Sequence, residues 1–288
     1  MTTDADRLAV DVRGLRKQYG DVTAVDGIDL DIRRGEVFGL LGPNGAGKST
    51  TVEILQGNRR RDAGEVSVLG SDPATAPRAW RSRVGIVWQD ESAPAELTVR
   101  ETVHHFSRYY PNPRDPEEVI GLVGLQEKAG SRIKSLSGGQ RRRLDVALGV
   151  IGGPELLLLD EPTTGFDPAA RRQFWDLIRK LADEGTTILL TTHYLEEAEA
   201  LADRLAVVAR GRVVAEGEPA ALRERFGTGA TVEWTEADGS PRSERTDTPT
   251  RTVAALTHRF DGEIPGLRVS RPTLEDVYLR LTGLEDAR

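Results

Sequence analysis

The 288-residue sequence contains no cysteine. That absence excludes disulfides, thiolate metal sites and a cysteine nucleophile, and it is compatible with the cytoplasm. An excess of positive charge is also missing. Lysine and arginine number 39 against 46 acidic residues, for a formal net charge of −7 and a pI near 5.3. Nucleic acid is therefore not expected as the main partner, because phosphate neutralisation needs clustered excess positive charge. The densest basic run, Arg141-Arg142-Arg143, is too short to change that expectation. No stretch approaches the roughly 20 apolar residues of a membrane helix, and Glu155–Leu159 is only as long as a strand. The opening residues, MTTDADRLAV, carry acids and no apolar core of a signal peptide. No Gly-X-Y period, internal repeat or heptad run is present. An apolar share of 38% beside 30 glycines is ordinary for a globular protein.

The apolar pattern alternates between strand and helix periods. Leu8–Val12 and Thr23–Ile32 read as antiparallel strands, with a bend expected at Asp26-Gly27. Glu36–Leu41, Glu65–Leu69 and Val84–Trp88 read as short strands. A polar helical segment follows, over about 94–130, the first part of a helical subdomain expected over about 94–152; its Thr98 and Glu101 have the spacing of a capping box. Within that subdomain, a helix from Gly139 carries Leu144, Ala147, Leu148 and Ile151 on one face. Leu156–Leu159, Thr187–Leu190 and Leu205–Val208 read as strands, separated by helices at Arg171–Leu181 and Leu195–Leu201. Strands alternating with helices imply an α/β fold with a mostly parallel sheet covered on both faces. Composition shifts near Phe226, so a main domain over 1–225 and a small α+β extension over 226–288 are expected. That extension has a hairpin turn at Asp238-Gly239 and a last helix burying Leu274, Val277, Tyr278 and Leu281.

Gly42-Pro43-Asn44-Gly45-Ala46-Gly47-Lys48-Ser49 fits G-x-x-x-x-G-K-[ST], between a strand and a helix that opens at Thr50. Glycines at this place let backbone N–H groups converge on phosphate oxygens, and the helix N-terminus adds partial positive charge. Lys48 would reach the β- and γ-phosphates and the Ser49 hydroxyl would ligate Mg²⁺. Leu156–Leu159 ends in Asp160-Glu161, two carboxylates at the carboxyl end of a strand, where ligands bind in such sheets. Asp160 is suited to holding Mg²⁺ and Glu161 to polarising water, although a core strand ending in a solvated acidic loop has the same pattern. Ser137-Gly138-Gly139-Gln140 opens a helix and reads either as a second anion site or as a plain serine cap. His104 and His105 lack the partners of a metal site and receive no role.

In combination these segments resemble the ATP-binding cassette ATPases over roughly 10–219. Gly42–Ser49 looks like the Walker A loop of that family, Leu136–Gln140 like its LSGGQ signature and Leu156–Asp160 like Walker B, with Glu161 in the catalytic-base position. Gln89 fits the Q-loop and joins Ser49 and Asp160 as a metal ligand; His193 fits the switch histidine, and Tyr19 the aromatic that stacks on adenine. Asp167 is the aspartate of the D-loop, preceded here by Phe166 where the family usually has leucine.

The resemblance implies a P-loop NTPase core with an antiparallel β subdomain and a helical subdomain, using ATP and Mg²⁺. It also implies a head-to-tail pair of cassettes, expected to be a homodimer. In that pair each ATP lies between Lys48 of one copy and Ser137 of the other. The expected partner is an integral-membrane permease encoded separately, with the chain peripheral on the cytoplasmic face of the membrane. The strings from Thr192 to Ala198 and from Arg271 to Tyr278 resemble the daunorubicin-resistance branch of bacterial type-2 exporters, of multidrug or antibiotic type. An importer ATPase, or a soluble cassette acting on ribosomes or DNA, is the alternative.

Overall fold

The computed structural model describes residues 7–88, 96–227 and 229–283. Gln89, expected in the site, lies outside the described residues. The chain divides into two compact units, Met1–Glu216 and Gly217–Arg288. Among the described residues no helix is long and apolar enough to cross a membrane.

The first unit begins with β1 (Leu8–Tyr19), β2 (Val22–Arg33) and β3 (Val37–Leu41), followed by α1 (Lys48–Leu55), β4 (Ala63–Val68), α2 (Arg78–Arg81) and β5 (Val84–Val87). Helices α3 (Val99–Ser107), α4 (Pro116–Leu122) and α5 (Gly138–Val150) come next. The order continues with β6 (Leu156–Asp160), α6 (Pro168–Asp183), β7 (Thr187–Thr192), α7 (Leu195–Leu201), β8 (Arg204–Ala209) and β9 (Arg212–Gly217).

Strands β2, β1 and β4 form an antiparallel sheet in that order. The bend expected at Asp26-Gly27 takes the form of a bulge inside β2 rather than a break in it: pairing passes from Leu15–Ile28 to Arg16–Asp26, and Gly27, at φ +80°, is the extra residue. The larger sheet has the order β5-β6-β7-β3-β8-β9, with parallel pairing from β5 to β8. Its central strands are apolar on both faces, as a sheet covered on both sides requires. Strand β6 shows the division most plainly. Leu156 and Leu158 enter a core shared with the antiparallel sheet and α1, whereas Leu157 and Leu159 enter a second core built on α3, α4, α5 and α6. Register pairs Leu41 with Thr192 and Asp160 with Thr191, so the loops leaving β3, β6 and β7 emerge side by side.

The second unit holds α8 (Pro219–Phe226), β10 (Ala230–Thr235), β11 (Pro241–Thr246), α9 (Pro249–Arg259), β12 (Arg268–Ser270) and α10 (Leu274–Thr282). Its antiparallel sheet, β11-β10-β12, buries Val232 and Trp234 against Leu256 and Ile264. The division falls ahead of the compositional shift at Phe226 because α8 packs on α10, where Arg280 Nη1 donates to the Phe226 carbonyl at 3.2 Å.

Candidate active site

The loop Gly42–Gly47 turns from β3 into α1 with no side chain capping the helix, whose cap residue Gly47 sits at φ +104°. A Cβ on Gly47 would lie 2.3 Å from the Ala24 carbonyl oxygen, and one on Gly42 would lie 2.4 Å from the Val208 oxygen. Both positions therefore exclude any side chain. The N-terminus of α1, with no side-chain cap, lies in the lining of a cavity, and uncapped helix N–H groups are suited to binding phosphate. Residues Val22–Ala24, Asn44–Thr50 and Glu161 line a cavity of about 480 Å³ here.

Lys48 is 4% exposed. Its Nζ donates to the Gly42 carbonyl at 2.7 Å and the Pro43 carbonyl at 3.3 Å, and it stands 3.3 Å from Glu161 Oε1. One carboxylate and two carbonyls satisfy this buried ammonium. Ser49 Oγ donates to Asp160 Oδ1 at 3.3 Å. On the other side of Glu161, His193 Nδ1 lies 3.2 Å from Oε2, while the His193 and Tyr194 rings sit 4.1 Å apart. Glu161 itself has φ +44°, an uncommon backbone for a residue with a side chain. Thr191 holds part of that conformation. Its Oγ1 accepts the Glu161 N–H at 3.0 Å and donates to Asp160 Oδ1. The residue pattern did not single out Thr191; its one signal is its position, directly opposite Asp160 in the next strand.

The remaining expected residues are placed differently. Ser137, Gly138, Gly139 and Gln140 are outside the cavity lining. Ser137 is exposed and closes a capping box, its Oγ accepting from Gln140 N at 3.3 Å and its N–H donating to Gln140 Oε1 at 3.0 Å. Asp167 caps α6 by accepting from Ala169 and Ala170 at 2.9 and 2.8 Å. Tyr19, 39% exposed, is not in the lining either, but it pairs in register with Val22, which is. Lys17 and Arg59 lie 5.4 and 5.1 Å from its ring centroid.

The donor set fits a hard cation. Ser49 and Asp160 offer one hydroxyl and one carboxylate, the oxygen ligands Mg²⁺ prefers. Among the described residues no cluster of three or more acidic, histidine or cysteine side chains stands ready to hold a metal alone. Two protein oxygens leave the other positions of an octahedral Mg²⁺ to water and substrate phosphate.

The profile of the ABC transporter family matches residues 25–164. The Nod factor export ATP-binding protein I of Ralstonia nicotianae is 42% identical, over 95% of this chain and 94% of that protein. The chain belongs to the ABC transporter family. Within that family it is an ATP-binding subunit and an ATPase, and the fold described above is that of an ABC cassette. The daunorubicin/doxorubicin resistance ATP-binding protein DrrA of Streptomyces peucetius is 38% identical, over 98% of this chain and 94% of its own length. Among solved ABC structures, cbiO1 of Clostridium perfringens has a TM-score of 0.68 at 28% identity, over 75% of this chain and 90% of that one. A dimeric cassette bound to ADP and phosphate shares the fold, with a TM-score of 0.65 at 24% identity, over 73% of this chain and 98% of its own.

Proposed function

We propose that this chain is the ATP-hydrolysing motor of an exporter for small molecules, acting as a head-to-tail pair of cassettes beneath a separately encoded membrane protein. The observation that carries the chemistry is the convergence of Lys48, Glu161 and His193 at the mouth of the loop, with Ser49 and Asp160 beside them. The names of the export relatives support the direction of transport.

In this reading the Gly42–Gly47 amides and the α1 N-terminus receive the β- and γ-phosphates. Lys48 leaves its carbonyl partners to neutralise charge on the γ-phosphate. Ser49 and Asp160, joined by Gln89, would hold Mg²⁺, which when bound would supply positive charge beside the phosphate oxygens. Glu161 orients water for in-line attack, and His193 contacts the γ-phosphate. Tyr19 supports adenine. Ser137–Gln140 serve the ATP of the opposite copy and Asp167 lies in the contact between the copies, so hydrolysis lets the pair reopen. An apolar groove of about 310 Å³ between β5, α3 and α5, lined by Trp88, Phe106, Tyr110 and Leu148, is the surface offered to cytoplasmic helices of the membrane partner. The chain then works at the cytoplasmic face, with residues 1–225 as the motor and 226–288 as an extension.

The test uses Glu161→Gln protein loaded with Mg-ATP as bait in detergent-solubilised native membranes. ATP binding without turnover, together with recovery of a multi-helix membrane protein, is the expected result. Turnover at the wild-type rate would refute the role of Glu161. Recovery of ribosomal proteins or nucleic acid with no membrane protein would refute transport.

A further inference from the structure

The middle arginine of the run 141–143 points inward. Arg142 is 8% exposed, and its guanidinium meets three backbone carbonyls rather than a carboxylate. Nε donates to Pro162 O at 3.0 Å, Nη2 to Asp160 O at 3.0 Å and Nη1 to Trp88 O. The first two carbonyls flank Glu161, the residue whose φ is +44°. The third closes β5, immediately before Gln89. Three donors in a rigid plane can hold three carbonyls at once, which a lysine ammonium on a flexible stem does much less well. Burial lowers the pKa of this guanidinium, and Asp145, Asp160 and Glu197 at longer range offset that only in part.

We propose that Arg142 is a positioning residue for Glu161. By gripping the carbonyls of the residues before and after Glu161, Arg142 holds the positive-φ backbone that aims the Glu161 carboxylate at the nucleotide. Because Arg142 lies on α5, five residues past Ser137, the same grip ties the helix that faces the opposite cassette to the water-orienting group of its own site. The inference rests on the role given to Glu161 above. Thr191 fixes the Glu161 N–H from β7, so the turn is held from β7 by Thr191 and from α5 by Arg142.

The test compares full-length wild type with Arg142→Gln, Arg142→Lys and Glu161→Gln by steady-state ATPase kinetics, equilibrium ATP binding and thermal unfolding. Misplacing a reacting group by about 1 Å costs about 100-fold in rate. Arg142→Gln is therefore expected to lower kcat by about that factor, with the Kd for ATP within about two-fold of wild type because the phosphate loop is untouched. Arg142→Lys, which keeps charge and loses the fork, is expected between the two. A kcat within about three-fold of wild type in both variants overturns the proposal. So does a parallel loss of ATP affinity, or failure of both variants to fold, since either makes Arg142 a packing residue only. If Glu161→Gln hydrolyses ATP like wild type, the role of Glu161 has failed and the proposal falls with it. An inactive Glu161→Gln beside a fully active Arg142→Gln isolates the failure to Arg142.

Discussion

Thr191→Val is the sharpest single probe of the site, because it keeps the shape of the side chain and removes one oxygen. Thr191 is fully buried in the central strand β7. Its Oγ1 accepts from the Glu161 N–H at 3.0 Å and donates to the Asp160 carboxylate. The valine leaves a part-buried N–H without its acceptor, at a cost toward the low end of about 1–3 kcal/mol, and deletes a hydrogen bond to a charged group worth about 1.5–3 kcal/mol. Asp160 retains Ser49 Oγ at 3.3 Å and a bound water can serve one lost partner, so the lower half of that range applies, about 3 kcal/mol in total. For a folding unit of about 200 residues, each kcal/mol lowers Tm by about 2–4 °C, giving a fall of about 6–12 °C. Calorimetry of the two proteins side by side reads this directly. Thr191→Ser, which keeps the hydroxyl, should recover most of the loss. A fall of less than about 2 °C in Thr191→Val would refute the claim that this hydroxyl anchors the turn.

Two further outcomes follow from features of the same unit. Gly47→Ala should abolish nucleotide binding in equilibrium dialysis, because the added carbon meets the Ala24 oxygen at 2.3 Å and φ is +104°; ATP affinity like that of wild type would contradict the steric argument. Glu197, on α7, has its pKa pushed up by burial, against the weaker pull of Thr192, Thr163, Trp175 and Arg171. With its pKa raised on folding, the native state holds the proton more tightly than the unfolded chain, so the group costs stability as pH rises from its ordinary value near 4.5 toward the raised one. Glu197→Gln should therefore be more stable than wild type at neutral pH and indistinguishable well below pH 4.5; denaturant titrations with no such pH-dependent gap would contradict this.

How much was legible in the sequence depended on how local the cause was. The phosphate loop could be read because its glycines answer a requirement of its own backbone. The Thr98–Glu101 capping box and helix Leu195–Leu201 were likewise local, and they form as expected. Strand β9 was missed because its turn, Arg210-Gly211, puts an arginine at φ +50° where asparagine or aspartate would have signalled a hairpin. Helix α8 was lost in a charged stretch with one buried apolar residue, Leu222. Arg142 was hidden by its neighbours: a three-arginine run reads as solvated charge, and the buried positions that share its face, Val146, Gly149 and Val150, lie one to two turns on. The side chains that meet from different strands, Thr191 with Asp160 above all, depend on register between β6 and β7, which no single segment encodes.

The capping box at Ser137 bears on how firmly two copies can hold each other. Within one chain Ser137 Oγ accepts the Gln140 N–H and the Ser137 N–H donates to Gln140 Oε1, which leaves the hydroxyl hydrogen free to donate elsewhere. On the proposed pairing, a phosphate oxygen arriving from the opposite subunit can take that hydrogen without breaking either bond of the box. The bond gained replaces one the hydroxyl makes to water, so its net worth is only about 1–3 kcal/mol and the grip at this point is shallow. A shallow grip suits a clasp that must let go once per turnover, and it leaves the separated subunit with no exposed polar debt at the surface where its partner was.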